Sequence, residues 1–313
     1  MIVTHDPDSG FPRRLRLTAD QVDCIVIVDN ASGLEGQAVL ADLDSTPRPE
    51  TIQNPENLGI ATGLNLGIER ARGRGYLWVL ALDQDSEPSP DMVPHLANAL
   101  QNLGSTQNVA IVAAQTIDSA RRRPTPFLRR RVGFLYERSQ CRGEVMQVTT
   151  AISSGSLLNV GVHEKLGGFR EDYFMDYVDT EYCLRAQLGG FRILAACRAK
   201  LYHQLGNRRE LKLGPLRLFP TFYGPARWYT ISRNRIPTWR GYALRFPHWL
   251  FYEVVASVFV TLRMIVTESD RARKFRAILK GTWDGLLGRM GPPPSQFGFR
   301  DEEANVGLLT ISQ

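Results

Sequence analysis

Two aspartates one residue apart, Asp83 and Asp85, directly follow the apolar run Leu77-Trp78-Val79-Leu80-Ala81-Leu82. Carboxylate oxygens at the end of a buried run suit Mg²⁺ or Mn²⁺, ions held by few protein carboxylates together with phosphate oxygens. The same pair could be an acidic loop before the next helix; its place after an apolar run is what favours metal binding. A third aspartate, Asp29, closes another apolar run, Cys24-Ile25-Val26-Ile27-Val28. Like charges gathered in one cleft repel unless a cation joins them. His203 follows the strand-like Ala199-Lys200-Leu201-Tyr202. An isolated histidine is ordinarily structural or exposed, although an imidazole beside two carboxylates would complete a Mn²⁺-type N/O site.

More acids crowd between Glu171 and Glu181, namely Asp172, Asp176 and Asp179, interleaved with Tyr173, Phe174, Tyr177 and Tyr182. They read either as a solvated helix N-terminus, where acids suit the dipole, or as a partly dry cleft holding a general base. The loop Asn54-Pro55-Glu56-Asn57-Leu58-Gly59 precedes a helical pattern and could offer backbone N–H groups to an anion, but it matches no phosphate-loop fingerprint.

The elements that must position these groups follow from hydropathy. Short apolar runs at 2–4, 24–28, 76–82 and 109–113 lack polar alternation, as strands buried on both faces do. A helix is predicted over 61–72, with Leu64, Ile68 and Ala71 on one face. Another is predicted to start near Ser89-Pro90-Asp91, with Ser as cap and Pro early. This alternation predicts a mostly parallel, Rossmann-like sheet, whose C-terminal strand edge is where ligands bind. Thr150–Leu158 reads as strand, turn and short helix, 177–187 as a helix stopped by Gly189-Gly190, and 191–194 as a strand.

The 313 residues are 43% hydrophobic and 22% charged, which excludes wholesale disorder, collagen and coiled coil. Charge is uneven: 21 Lys and Arg against 24 Asp and Glu in residues 1–200, then 17 against 8. The four cysteines show no metal spacing and imply no disulfide framework, which fits a reducing compartment. The N-terminus lacks a signal-peptide layout, so a cytoplasmic protein is expected.

Six blocks then occur in order: Ile27-Val28-Asp29-Asn30-Ala31-Ser32, Asn57-Leu58-Gly59-Ile60-Ala61, Leu82-Asp83-Gln84-Asp85-Ser86, Ser154-Gly155-Ser156-Leu157, Met175-Asp176-Tyr177-Val178-Asp179-Thr180-Glu181 and His203-Gln204-Leu205-Gly206. Over about residues 1–240 the chain resembles family 2 inverting glycosyltransferases of GT-A fold, most of all their bacterial rhamnosyltransferase branch. That resemblance implies an α/β GT-A domain with a nucleotide-binding half to about 115 and an acceptor-side half from 116; the shift towards Arg and aromatics beyond Gly206 puts its end near 210, with a basic helical extension over 211–313.

It further implies roles. Thr4, Asp29, Asn57 and Asp83 would bind the nucleotide. Asp83, Asp85 and His203 would hold Mn²⁺ or Mg²⁺. Ser154, Gly155 and Asp176 would lie by the donor sugar and acceptor, and Asp179 would be the catalytic base. Arg233-Asn234 resembles a recurrent family pair to which no role is attached. The implied donor is dTDP-L-rhamnose and the implied acceptor a lipid-linked glycan. Alternatives are a UDP-hexose or UDP-galactofuranose donor, or a non-catalytic sugar-nucleotide-binding subunit.

The segment 249–266 barely reaches spanning length and contains Glu253 and Arg263, each costly at a bilayer centre. With Arg271, Arg273, Lys274, Arg276 and Lys280 after it, the segment fits an amphipathic element on an anionic membrane surface, at the inner face of the cell membrane. A buried helix or a contact in a homo-oligomer are the competing readings. Nucleic acid is not an expected partner, because the tail's aromatics belong to apolar helices rather than a stacking platform. The Arg121–Arg123 and Arg129–Arg131 clusters read as a solvated loop.

Overall fold

The structure is a computed structural model that describes residues 1–45, 47–119, 121–130, 136–203, 207–208, 211–213, 216–218, 221–268 and 270–298. The chain divides into two units, Met1–Phe174 with Val178–Gln204, and Met175–Tyr177 with Leu205–Gln313.

In the first unit, β1 (Ile2–Thr4), α1 (Phe11–Ala19), β2 (Val26–Asp29), α2 (Leu34–Ala41), β3 (Glu50–Gln53), α3 (Gly59–Gly73) and β4 (Trp78–Asp83) alternate along the chain. They are followed by β5 (Glu87–Pro88), α4 (Met92–Gln101) and β6 (Val109–Asp118). Three short strands, β7 (Arg123–Pro124), β8 (Phe127–Arg130) and β9 (Tyr136–Ser139), lead to β10 (Val145–Gln147), β11 (Ser156–Asn159), α5 (Val160–Leu166), α6 (Val178–Leu188) and β12 (Arg192–His203).

The main sheet runs β10-β12-β6-β11-β4-β1-β2-β3. β3, β2, β1 and β4 are mutually parallel, and β6 and β12 are parallel to each other. β11 runs against both β4 and β6, so these two groups point the same way. The continuous Val/Ile/Leu runs are buried on both faces, as their lack of alternation predicts. One face packs Phe11, Leu15, Met92 and Leu96 of α1 and α4 against Ile2, Ile27, Leu82 and Leu201. Each such side chain contributes roughly 1.5–3 kcal/mol on burial. On α3, Leu64, Ile68 and Ala71 are buried, the face its periodicity predicts.

Four details depart from the sequence reading. α4 begins at Met92 after an Asp91 cap, with Pro90 outside the helix, because the Met92 N–H bonds the Ser89 carbonyl in a preceding turn. Ser153-Ser154-Gly155 is a turn into β11, with no helix before Val160, where Asn159 caps α5 by accepting the Val162 N–H. Arg123, Arg129 and Arg130 lie on strands rather than in a loop, since β8 pairs with β9 and β7 with β6; Arg131 lies outside the described residues.

The fourth departure concerns cysteine. Cys141 and Cys197 are joined in a disulfide with Cα atoms 5.3 Å apart. β12 carries three extra residues between Ala196 and Lys200 where β6 has none, and Cys197 sits in this bulge. Antiparallel pairing with β10, continued by the Cys197 N–H to the Glu144 carbonyl at 2.9 Å, brings Cys141 alongside. A separation of 56 residues left no sequence signal for the pair. Cys183 is a buried free thiol, its pKa pushed up to about 12 by burial.

The second unit contains α7 (Pro225–Tyr242), α8 (Pro247–Thr267) and α9 (Arg271–Leu286). Trp228 and Tyr229 of α7, Met264 of α8, Ala277 of α9 and Phe297 form its core. α9 packs closely on α7: a Cβ at Gly281 would meet the Tyr229 carbonyl oxygen at 2.3 Å. α8 is long and apolar enough to cross a membrane, but only 11% of its apolar window is buried. The buried-helix reading of 249–266 is therefore corrected: the apolar residues face outward instead of filling a core.

Candidate active site

Thr4, Asp29, Asp83, Asp118 and His203 all end strands that point the same way, so they share one edge of the sheet. β4 and β12 are nonetheless three strand positions apart, roughly 14 Å at ordinary spacing. The chain after Asp83 closes this gap. Ser86 N–H bonds the Asp83 carbonyl at 3.1 Å, and β5 then pairs antiparallel with the end of β12, Glu87 opposite Tyr202 and Pro88 opposite Leu201. Asp85 is thereby carried to His203.

The resulting cluster is tight. His203 Nδ1 lies 3.3 Å from an Asp85 oxygen, and Nε2 lies 3.9 Å from an Asp83 oxygen. One ligand atom from each of Asp83, Asp85 and His203 falls within 4.8 Å of the others. The imidazole is 11% exposed and the two carboxylates 36% and 47%, so the acids remain open to a ligand. Two carboxylates and one imidazole fit a hard or borderline divalent cation such as Mn²⁺ or Mg²⁺.

The loop itself is held from below. Ser154 Oγ accepts the Asp83 N–H at 2.9 Å and lies 2.7 Å from Ser86 Oγ, which in turn is 3.0 Å from His203 Nδ1. Gly155 has φ +76°, and a Cβ there would meet Leu201 at 2.8 Å. Only glycine lets this turn sit against β12. Gln84 reaches the other way, accepting the His5 N–H at 2.8 Å and donating to the His5 carbonyl at 3.0 Å.

On the β1–β2 side, the Asp29 carboxylate accepts the Thr4 hydroxyl at 3.0 Å and the Ser32 N–H at 3.1 Å, and is almost fully buried. Asn30 donates to the Gly59 carbonyl at 3.1 Å and accepts from Asn54 at 2.8 Å, tying this loop to the start of α3.

The α3 N-terminus does not fit the anion-binding alternative. Gly59 N–H is taken by Asn57 Oδ1 at 2.9 Å, and Ile60 N–H by the Phe174 carbonyl at 2.8 Å. Gly59 has φ +82°, and a Cβ there would lie 2.4 Å from that same carbonyl oxygen.

The acidic cluster resolves into separate duties. Asp172 pairs with Arg170 at 2.6 Å. Buried Glu181 holds Arg185 at 2.8 Å, and Arg185 also donates to the carbonyls of Leu166 and Gly168, fastening α6 to the turn after α5. Asp179 stands half-buried in the first turn of α6. Tyr173, Phe174 and Tyr182 are buried, as a partly dry setting requires. The segment before α6 has unusual backbone: Phe174, Asp176 and Tyr177 have φ of 63°, 56° and 62°. Such conformations carry strain and cluster at functional sites.

Asp176 belongs to the second unit, where its carboxylate accepts from Thr230 at 2.6 Å and Arg227 at 2.8 Å. There Asn234 donates to the carbonyls of Met175 at 2.6 Å and Asp176 at 2.9 Å, and Arg233 donates to Asn234 at 2.9 Å. Both side chains of this pair are fully buried.

The structure thus joins Asp83, Asp85 and His203, joins Thr4 to Asp29, and fixes Ser154 beneath the aspartate loop. Asn57 lies in the loop before α3, its Oδ1 accepting the Gly59 N–H. Sequence reasoning gave no role to Ser86, Gln84, His5 or Asn234. Ser86 could have been found, as the residue closing Leu82-Asp83-Gln84-Asp85-Ser86.

Comparison with known proteins bears on this architecture. Over 295 residues the chain is 27% identical to a dTDP-rhamnosyl transferase, RfbF, of Shigella flexneri, covering 93% of this chain and 96% of that one. Among solved structures, S. aureus TarS 1–349 in complex with UDP-GlcNAc matches with a TM-score of 0.51 at 12% identity, over 92% of this chain and 71% of that one. GalNAc-T7 with UDP, GalNAc and Mn²⁺ matches with the same TM-score and identity, over 74% of this chain and 46% of its own length. These two structural likenesses show the fold. The profile of "Glycosyl transferase family 2" matches residues 4–167, more than half of the sequence. The chain is a glycosyltransferase, and it belongs to glycosyl transferase family 2.

Proposed function

We propose that this chain is an inverting, cation-dependent transferase that moves L-rhamnose from dTDP-L-rhamnose to a hydroxyl of a lipid-linked glycan. The observation that carries the reading is the approach of Asp83, Asp85 and His203 to within 4.8 Å at the ligand edge of the sheet. The printed activity of the Shigella relative supports the choice of donor.

In this reading Thr4, Asp29, Asn57 and Asp83 shape the nucleotide side, and Ser154 with Gly155 the donor-sugar side. Asp179 takes the proton from the acceptor hydroxyl. The acceptor oxygen bonds to the anomeric carbon from the face opposite the diphosphate. The bond from that carbon to the diphosphate oxygen breaks, dTDP departs with the electron pair, and configuration inverts. General-base assistance of this kind is worth about 10²–10⁴ in rate. Asp83, Asp85 and His203 would hold a divalent cation, which when bound would supply charge neutralisation for the leaving diphosphate, several kcal/mol in order of magnitude. Asp176, held by Arg227 and Thr230, contributes by fixing the strained backbone that leads into α6.

The test is donor hydrolysis and transfer across dTDP-L-rhamnose, UDP-hexoses and UDP-galactofuranose, with and without Mn²⁺, and product configuration read by NMR. Preferential turnover of dTDP-L-rhamnose with inversion is expected. Preference for a UDP-sugar would replace the donor, and binding without turnover of any donor would make the chain a binding subunit.

A further inference from the structure

The second unit leaves a broad apolar surface uncovered. On α8 every outward position is apolar: Phe251, Val255, Val258, Phe259, Leu262 and Val266 are all exposed, Val266 to 73% and Phe251 to 72%. Phe275, Leu279 and Trp283 continue the pattern along α9 at four-residue spacing, each about half exposed. Isolated exposed apolar residues need no explanation, whereas nine of them in rows along two helices mark an interaction site.

Charge identifies the occupant. Residues 245–289 contain eight Lys and Arg and four Asp and Glu. Three of those acids are spent inside the unit. Glu253 accepts the Tyr177 hydroxyl, Glu268 pairs with Lys274 at 2.9 Å, and Asp284 holds Lys280 and the Tyr229 hydroxyl. The charged residues of this region that are exposed are then Arg245, Arg271, Arg276 and Arg289 against Asp270 alone. A second copy would bring like charges together, while an anionic lipid surface complements them. The face is also wider than a coiled-coil seam, which uses two positions in seven.

A bilayer span does not fit. The other side of α8 buries Trp249, Ser257 and Met264, with Met264 in the core beside Trp228, Tyr229 and Ala277. One packed side and one apolar side describe a helix that lies in an interface.

We propose that the outer faces of α8 and α9 dock on an anionic phospholipid surface, with α8 lying in the headgroup plane and the exposed arginines engaging lipid phosphate. The proposal does not depend on the transfer chemistry, and its test uses no sugar nucleotide. The full-length protein is floated with phosphatidylcholine vesicles, with and without phosphatidylglycerol, while its mass is followed by sedimentation velocity.

Binding at least about tenfold stronger to the phosphatidylglycerol vesicles is expected, weakening with salt. Val258→Glu with Leu262→Glu, both at exposed positions, should abolish binding with an unchanged circular dichroism spectrum. Arg245→Glu with Arg276→Glu should remove the preference for phosphatidylglycerol. Absence of vesicle binding overturns the proposal, as does binding indifferent to phosphatidylglycerol. A stable dimer that the Val258→Glu/Leu262→Glu protein loses, without vesicle binding in either form, assigns the face to a second copy instead.

Discussion

Ser86 Oγ lies 3.0 Å from Nδ1 of His203, and through Ser154 the same hydroxyl is linked to the backbone of Asp83. Two short side chains therefore connect the ends of two strands that are not neighbours in the sheet. The contact fixes the plane of the imidazole and engages Nδ1, so that Nε2 is the nitrogen facing Asp83.

Ser86→Ala should leave the fold intact and weaken cation binding by about 10–100-fold, the usual effect of removing a group that orients a metal-binding histidine. Isothermal titration with Mn²⁺ in the presence of dTDP reads this directly. Unchanged affinity would mean that the hydroxyl only fills space.

Asp179→Asn should cut transfer by at least about 10²-fold while sparing dTDP binding, since the amide keeps the shape and loses the base. Steady-state rates and nucleotide affinity measured on one preparation separate the two effects.

Gly59→Ala should destabilise the first unit by more than about 1 kcal/mol. The added Cβ meets the Phe174 carbonyl oxygen at 2.4 Å, and φ is +82°. A lowered melting temperature with unchanged secondary structure is expected. Ala at Gly75, also at positive φ but with nothing within 4 Å, gives the cost of backbone conformation alone.

His163 gives a pH prediction. It is buried beside the paired rings of Phe169 and Tyr182, and burial, assisted by Arg185, lowers its pKa from 6.5 to about 4. The unfolded chain therefore binds a proton that the folded chain refuses. Stability from this site is complete above pH 6.5 and is lost as pH falls towards 4, by at most about 3 kcal/mol. Urea midpoints measured across that window should fall in the wild type and fall less in His163→Phe.

Much of this arrangement was legible from residue order. Apolar runs without alternation gave the strands, and Asp29 and Asp83 at their ends pointed to the ligand edge. His203 was not legible from chemistry alone, because its partners are more than a hundred residues away. What joins them is the pairing of Glu87-Pro88 with the end of β12, a two-residue strand too short for any periodicity. The Cys141–Cys197 bond escaped for a related reason, since a bulge in β12 places Cys197 and local pattern does not encode it. The acids at 172, 176 and 181 resembled Asp179 in sequence, and their pairing with Arg170, Arg227 and Arg185 is set by the fold, not by local pattern.

In the proposed reading, Asp83, Asp85 and His203 would together hold one divalent cation for the nucleotide diphosphate. The most direct measurement of this is the affinity for dTDP by calorimetry, with and without Mn²⁺, for the wild type and His203→Ala. Mn²⁺ should tighten dTDP binding at least about tenfold in the wild type, roughly 1.4 kcal/mol, and this gain should vanish in His203→Ala. Equal dTDP affinity with and without Mn²⁺ in the wild-type protein would contradict it.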